Sequence, residues 1–196
     1  MSNVRSYTDI ELIEKIESLP SFKGWKVGKY FIGVRSNEDE FNKFDDKAYL
    51  FDVLVEGQRP KFAAVYPITT NAGSQGLKRF ETYQKLGCAV AVTDHITYGS
   101  HVYGLHGRSQ YPAYVQTFKG EQYPYTRDND RDYEAENYGK VYTDRIGMNI
   151  HKAGVDTAEI NGNSTACWVF KRSNDFDKFM VWANKLPING CILKEF

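Results

Sequence analysis

From Trp25 to Gln116 the sequence is a succession of short aromatic and β-branched runs, each cut off by turn-forming residues. A chain written this way folds into a sheet of short strands, not a bundle of helices. Tyr30-Phe31-Ile32-Gly33-Val34 is read as the first strand, with a turn at Arg35-Ser36-Asn37-Glu38-Asp39. Asn42 to Lys47 leads into a second, Ala48 to Val55, and Phe62 to Tyr66 forms a third that Pro67 closes. Thr69 to Gly76 has the composition of a loop. Leu77 to Leu86 suits a short helix and an extended segment equally. Ala89 to Val92 reads as a buried, central strand, followed by strands at Val102–Gly107 and Pro112–Gln116.

Helices are expected only at the two ends. Thr8-Asp9-Ile10-Glu11 carries the capping-box spacing, and Ile10, Ile13 and Ile16 recur behind it with Leu12 and Leu19 alongside. The pattern predicts a helix from Thr8 to Ser18, stopped by Leu19-Pro20. Ser173-Asn174-Asp175 offers caps for a second helix. Its face is Phe176, Phe179, Met180 and Ala183, with Trp182 on a flank and Pro187 at the end. No repeat or linker interrupts the run. The expected organisation is a helical appendage over residues 1–24 and one mainly β (α+β) domain over 25–196.

Charge and hydropathy exclude several classes of partner. Lys plus Arg and Asp plus Glu number 25 each among 196 residues, so no global field draws the chain to nucleic acid or an anionic membrane. No apolar run is long enough to span a bilayer. The first six residues lead into a charged segment without a signal-peptide core, so synthesis in the cytoplasm without a signal peptide is expected. Cys88 and Cys191 sit in apolar runs and read as buried small hydrophobes, with a disulfide between them left open. No Cys-x-x-Cys pair suggests a zinc knuckle, and no cofactor is expected.

The chemistry-bearing stretch lies later. Gly147-Met148-Asn149-Ile150-His151 and Ser164-Thr165-Ala166-Cys167-Trp168-Val169-Phe170 are two β-like runs joined by a polar, glycine-bearing loop. A thiol acts as a nucleophile when a base reaches it and compact neighbours expose backbone N–H groups to an oxyanion. His151 and Cys167 are sixteen positions apart, so local geometry does not force them together. From the residues alone, a Cys/His dyad stands beside a plainer reading: a core thiol next to Trp168 and a strand-end histidine.

These residues resemble the L,D-transpeptidase catalytic motif, in which a histidine is followed by a glycine-bearing loop and Ser-x-small-Cys. They are most similar to a phage-associated branch with Gly-Ile-Asn-Ile-His, Ser-Ala-Gly-Cys-Gln and a following Phe-x-x-Phe helix, matched here by Phe176-Asp177-Lys178-Phe179. Gly104-Leu105-His106, Tyr111-Pro112-Ala113-Tyr114, Arg127-Asp128, Gly33-Val34-Arg35-Ser36 and Asn42-Lys43-Phe44-Asp45-Asp46 are similar to segments of the same branch. The resemblance covers roughly Tyr30 to Leu186 and implies an L,D-transpeptidase-like β-sandwich or barrel.

It also implies roles. Cys167 attacks a peptidoglycan stem peptide at an L-centre to D-centre bond, forming a thioester, and His151 moves the proton. Backbone around Ala166 and Cys167 forms the oxyanion hole, while Thr165, Ser164, Asn149 and His106 line the pocket. The acyl group then passes to an amine or to water. The implied setting is phage-associated wall processing or lysis, endolysin-like, with the wall reached after lysis, through a holin or in the virion. The alternative is a catalytically degenerate virion or wall-binding protein. Ala166, in place of the family glycine, and Trp168, which with Val169 replaces a polar pair, favour it; Thr165 replaces the commoner histidine, which the phage branch lacks as well.

Two metal readings are weaker. His95, His101, His106 and His151 include no His-x-x-x-His pair, and His95 and His101 read as loop residues. Asp128-Asn129-Asp130-Arg131-Asp132 opens like a calcium loop. However, Tyr133 stands where an EF-hand needs glycine, and Gly139 where it needs glutamate. A solvated acidic turn is the expectation, with no metal. The many tyrosines and phenylalanines suit sheet surfaces before they suit stacking on sugars.

Overall fold

The structure, a computed structural model, describes residues 4–38, 40–77, 86–130, 132 and 134–196. It is mainly β. Strands β1 (Gly28–Arg35), β2 (Asp46–Val53), β3 (Lys61–Thr69), β4 (Cys88–Ala91), β5 (His95–His106), β6 (Tyr111–Gln116), β7 (Tyr125–Asp128), β8 (Ile150–Lys152), β9 (Trp168–Phe170) and β10 (Ile188–Lys194) follow in order. Eight close into a barrel in the order β1-β10-β5-β6-β8-β9-β3-β2, while β4 and β7 form a separate antiparallel pair. Two contacts in the barrel are parallel, β1 with β10 and β8 with β9. Most of residues 77–86, ambiguous in sequence, lies outside the described residues.

Alternation along the strands sorts the side chains into two layers. Phe31, Leu50, Ile68, Ala113, Tyr114, Ile150, Trp168, Phe170 and Ile192 point into one buried cluster. Their neighbours Tyr30, Ile32, Tyr49, Phe51, Cys191 and Leu193 form a second cluster outside, roofed by helix α1 (Asp9–Glu17). The capping box is present, with Glu11 N–H on Thr8 and the Glu11 carboxylate on the Thr8 backbone. The helix buries Leu12, Ile13 and Ile16, each contributing about 1.5–3 kcal/mol. Ile10 is exposed instead, because six residues of helix turn its side chain about 120° from Ile16.

Several sequence expectations need correction. Pro67 does not close β3, which runs on to Thr69. Up to Pro67 the strand pairs only with β2, and β9 joins it at Ile68, so a missing N–H is tolerated. The Cys88–Ala91 strand is buried but pairs only with β7 and lies outside the barrel order. His95 and His101 are not loop residues: both lie in the twelve-residue β5, and His101 is fully buried. The cysteines are all free, so no Cys88–Cys191 disulfide forms.

Helix α2 (Ser173–Ala183) carries Phe176, Phe179 and Ala183 into the barrel cluster. Its first N–H, on Ser173, is met by the Asp156 carboxylate at 2.9 Å, not by a side chain of the expected capping segment. Left-handed Asn184 ends the helix before Pro187 can. No helix among the described residues is long and apolar enough to cross a membrane.

Candidate functional site

The parallel pairing of β8 and β9 sets Ile150 opposite Trp168 and His151 opposite Val169. A backbone bond from Trp168 N–H to Asn149 O, 2.9 Å, extends the ladder by one residue. Asn149, His151, Cys167 and Val169 therefore share the outer face, while Ile150, Trp168 and Phe170 face the core. His151 and Cys167 are diagonal neighbours, a relation that places Cα atoms about 7–8 Å apart. The two residues expected to carry the chemistry are thus brought to one face of adjacent strands.

Asn149 holds the group together. Its backbone N–H points at Cys167 Sγ at 3.5 Å, and its Oδ1 accepts the Gln116 N–H at 2.9 Å. Since Oδ1 is taken as acceptor, Nδ2 donates to His106 Nδ1, 2.9 Å away. The His106 and His151 rings stack at 4.1 Å. His151 Nδ1 lies 2.8 Å from the Lys152 carbonyl, which can only accept, so Nδ1 carries the proton. Nε2 is then a bare lone pair, buried and without a hydrogen-bond partner among the described residues. Tyr111 Oη sits 3.1 Å from Nδ1.

Burial dominates the electrostatics. It pushes His151 down to about 3, helped by the neighbouring His106 and opposed by the Lys152 carbonyl. His106 is lowered by burial as well. The Cys167 thiol is pushed up to about 11, burial outweighing the Asn149 N–H. Tyr111 rises to about 12, first by burial and then by proximity to Cys167, and stays a phenol. The resting site is therefore neutral. The thiol is 7% exposed and donates to Gly147 O at 3.6 Å, not to His151.

The remaining expected residues fall close by. Ser164 is buried and donates to the Cys167 carbonyl at 2.8 Å, while Gly73 N–H holds the Ser164 carbonyl at 3.0 Å. Among the described residues no acceptor meets the backbone N–H of Ala166 or Cys167, so both remain available as donors. Thr165 makes the turn beside them at intermediate exposure. Ala166 is buried and has no positive φ, so its methyl does not strain the position where the motif has glycine. Trp168 faces away, stacked on Phe31 at 5.4 Å inside the barrel, and does not enter the site.

Two contributors went unassigned in the sequence. Tyr111 pairs directly with His106 across the β5–β6 hairpin, a placement that reading Gly107 to Gln110 as a tight turn would have supplied. Gln116 Oε1 accepts three successive backbone N–H groups, from Ile146 (3.0 Å), Gly147 (2.8 Å) and Met148 (3.1 Å). His101 Nε2 donates to the Met148 carbonyl at 2.9 Å from inside the barrel. Together they fix the loop whose Gly147 carbonyl receives the thiol. No periodicity announces such long-range polar contacts. His95 and His101 lie apart from the His106–His151 stack, and the histidines supply no group of three metal-ligand atoms among the described residues.

No family model, curated protein or solved structure matches the chain.

Proposed function

We propose that this chain is a cysteine-dependent acyltransferase or peptidase of the L,D-transpeptidase type, acting on peptidoglycan stem peptides. The observation that carries the reading is the convergence of His106 on β5, Tyr111 on β6, His151 on β8, and Asn149 and Cys167 at the entries to β8 and β9, with His151 Nε2 unpartnered among the described residues. The mainly β architecture, an eight-stranded barrel with helices near both ends of the chain, supports this reading.

In this mechanism the thiol turns from Gly147 O and gives its proton to His151 Nε2 as Sγ attacks the peptide carbonyl. The Lys152 carbonyl, already bonded to Nδ1, stabilises the imidazolium that forms. The Ala166 and Cys167 N–H groups receive the oxyanion, at on the order of 3 kcal/mol per preorganised donor. His151 then protonates the leaving amine, and an amine or water takes the acyl group from sulfur. The setting we infer is phage-associated wall processing or lysis, with delivery by lysis, a holin or the virion.

A second reading, a degenerate virion or wall-binding protein of the same fold, is favoured by one feature: the thiol is buried, neutral and unbonded to its base. One experiment separates them. Peptidoglycan fragments incubated with wild type and with Cys167→Ala are compared by mass spectrometry. New masses with wild type alone establish the cysteine enzyme and name the bond. Unchanged fragments at high protein concentration overturn it in favour of binding.

A further inference from the structure

Asp128 ends β7, paired with Cys88. A side chain on Gly87 would collide with the Asp128 carbonyl, so glycine there lets the two strands close at this point. The Asp128 side chain is consequently trapped, 3% exposed, in contrast to the solvated turn expected from sequence. Its Oδ2 is shielded from solvent and meets no hydrogen-bond donor among the described residues. Asp130 and Asp132, both exposed, bring carboxylate oxygens to the Asp128 carboxylate, and one oxygen from each of the three lies within 4.8 Å of the others. Burial first, then the charges of Asp130 and Asp132, push Asp128 up to about 6 in spite of backbone N–H groups from Glu136 and Asp130.

A buried carboxylate oxygen without a donor is costly, and two further carboxylates beside it raise that cost. A hard cation relieves both. Calcium takes oxygens at about 2.3–2.6 Å, so two of its ligands stand up to roughly 5 Å apart, whereas magnesium at about 2.0–2.1 Å draws them closer. We propose that Asp128, Asp130 and Asp132 form a calcium site, three protein carboxylates on one short segment with water completing the shell. It is not an EF-hand, since glycine and the bidentate glutamate are missing. Its affinity therefore belongs with weak extracellular modules, on the order of 0.1–1 mM. The segment continues into Glu134–Tyr138, which with Arg35 and Lys194 lines a cavity of about 420 Å³. The bound ion braces that wall.

The test uses the full chain, freed of metal with chelator and then dialysed. Thermal unfolding and titration calorimetry are run with calcium chloride, with magnesium chloride, and on the Asp130→Asn/Asp132→Asn variant, whose changes are at the surface. Calcium at about 10 mM should raise the midpoint by several degrees, titrate to one site, and do neither in the variant. No heat and no shift with the wild type, or an equal shift in the variant, overturns the site. A magnesium shift as large as the calcium shift overturns its assignment to calcium.

Discussion

The imidazoles of His106 and His151 lie face to face, ring centroids 4.1 Å apart and planes inclined by 17°. Two rings so placed in a buried site cannot both carry charge, and a proton on one opposes a proton on the other. Burial first, and then the stack, keep His151 neutral near pH 7, while the Lys152 carbonyl draws its one proton to Nδ1. A base with a free lone pair results, held ready but weak, and its strength would rise when a charged thiolate or oxyanion arrives beside it.

This neutrality has a pH signature. His151 is near 3 when folded against about 6.5 unfolded, so the unfolded chain binds the extra proton between those values. Its contribution to stability is complete above pH 6.5 and is lost as pH falls toward 3. From pH 7 to pH 5 the loss is about 2 kcal/mol, or roughly 4–8 °C for a chain of this size. Asp128, raised to about 6, acts in the opposite sense, so the comparison must be differential. The fall in melting temperature from pH 7 to 5 should be smaller in His151→Gln than in wild type by that amount. Parallel pH profiles would contradict a buried neutral imidazole.

The thiols should be slow. With Cys167 near 11, its thiolate fraction at pH 7.5 is about 300-fold below that of a free cysteine near 8.5. Iodoacetamide should therefore label it at least a hundredfold more slowly than glutathione, with the rate climbing about tenfold per pH unit toward pH 10. Cys88, near 12, and Cys191, pushed well up by burial, should trail it. Peptide mapping of labelled protein gives the order. Labelling of Cys167 at the free-thiol rate near neutrality would show that His151 already holds its proton at rest.

Ala166→Gly addresses the departure from the family motif. Ala166 sits in the core cluster without positive φ, so glycine relieves no strain and adds freedom to the unfolded chain. The variant should be less stable by about 0.5–1 kcal/mol and leave turnover of peptidoglycan fragments unchanged. A large gain in turnover would mean that the methyl obstructs the substrate.

What the sequence displays and what it hides divide along physical lines. The Thr8–Glu11 box and the strand runs depend on local spacing, and each is present in the structure, whereas the shared face of His151 and Cys167, sixteen positions apart, depends on the pairing of β8 with β9. Tyr111 was hidden only by a hairpin turn, since its partner His106 is five residues away. Asp128 looked like a solvated turn residue because its burial depends on Gly87, forty-one positions earlier in the chain. Trp168 seemed a threat to the site by adjacency, yet alternation sends it to the other side of the sheet.

Gln116 is the furthest from any local signal and gives the most specific prediction. Its Oε1 accepts the N–H groups of Ile146, Gly147 and Met148, while its buried Nε2 has no acceptor among the described residues. Gln116→Leu would strand three backbone donors at about 1–3 kcal/mol each, less whatever the loop recovers by moving into water. We expect a loss of at least 3 kcal/mol by denaturant unfolding, together with loss of turnover as the loop leading into Asn149 and His151 shifts. Gln116→Glu retains an acceptor oxygen and removes the orphaned amide, and three N–H donors favour its ionised form against burial. It should cost under about 1.5 kcal/mol and keep the loop. If glutamate destabilises as much as leucine, the triple acceptance is not what holds residues 146–148 in place.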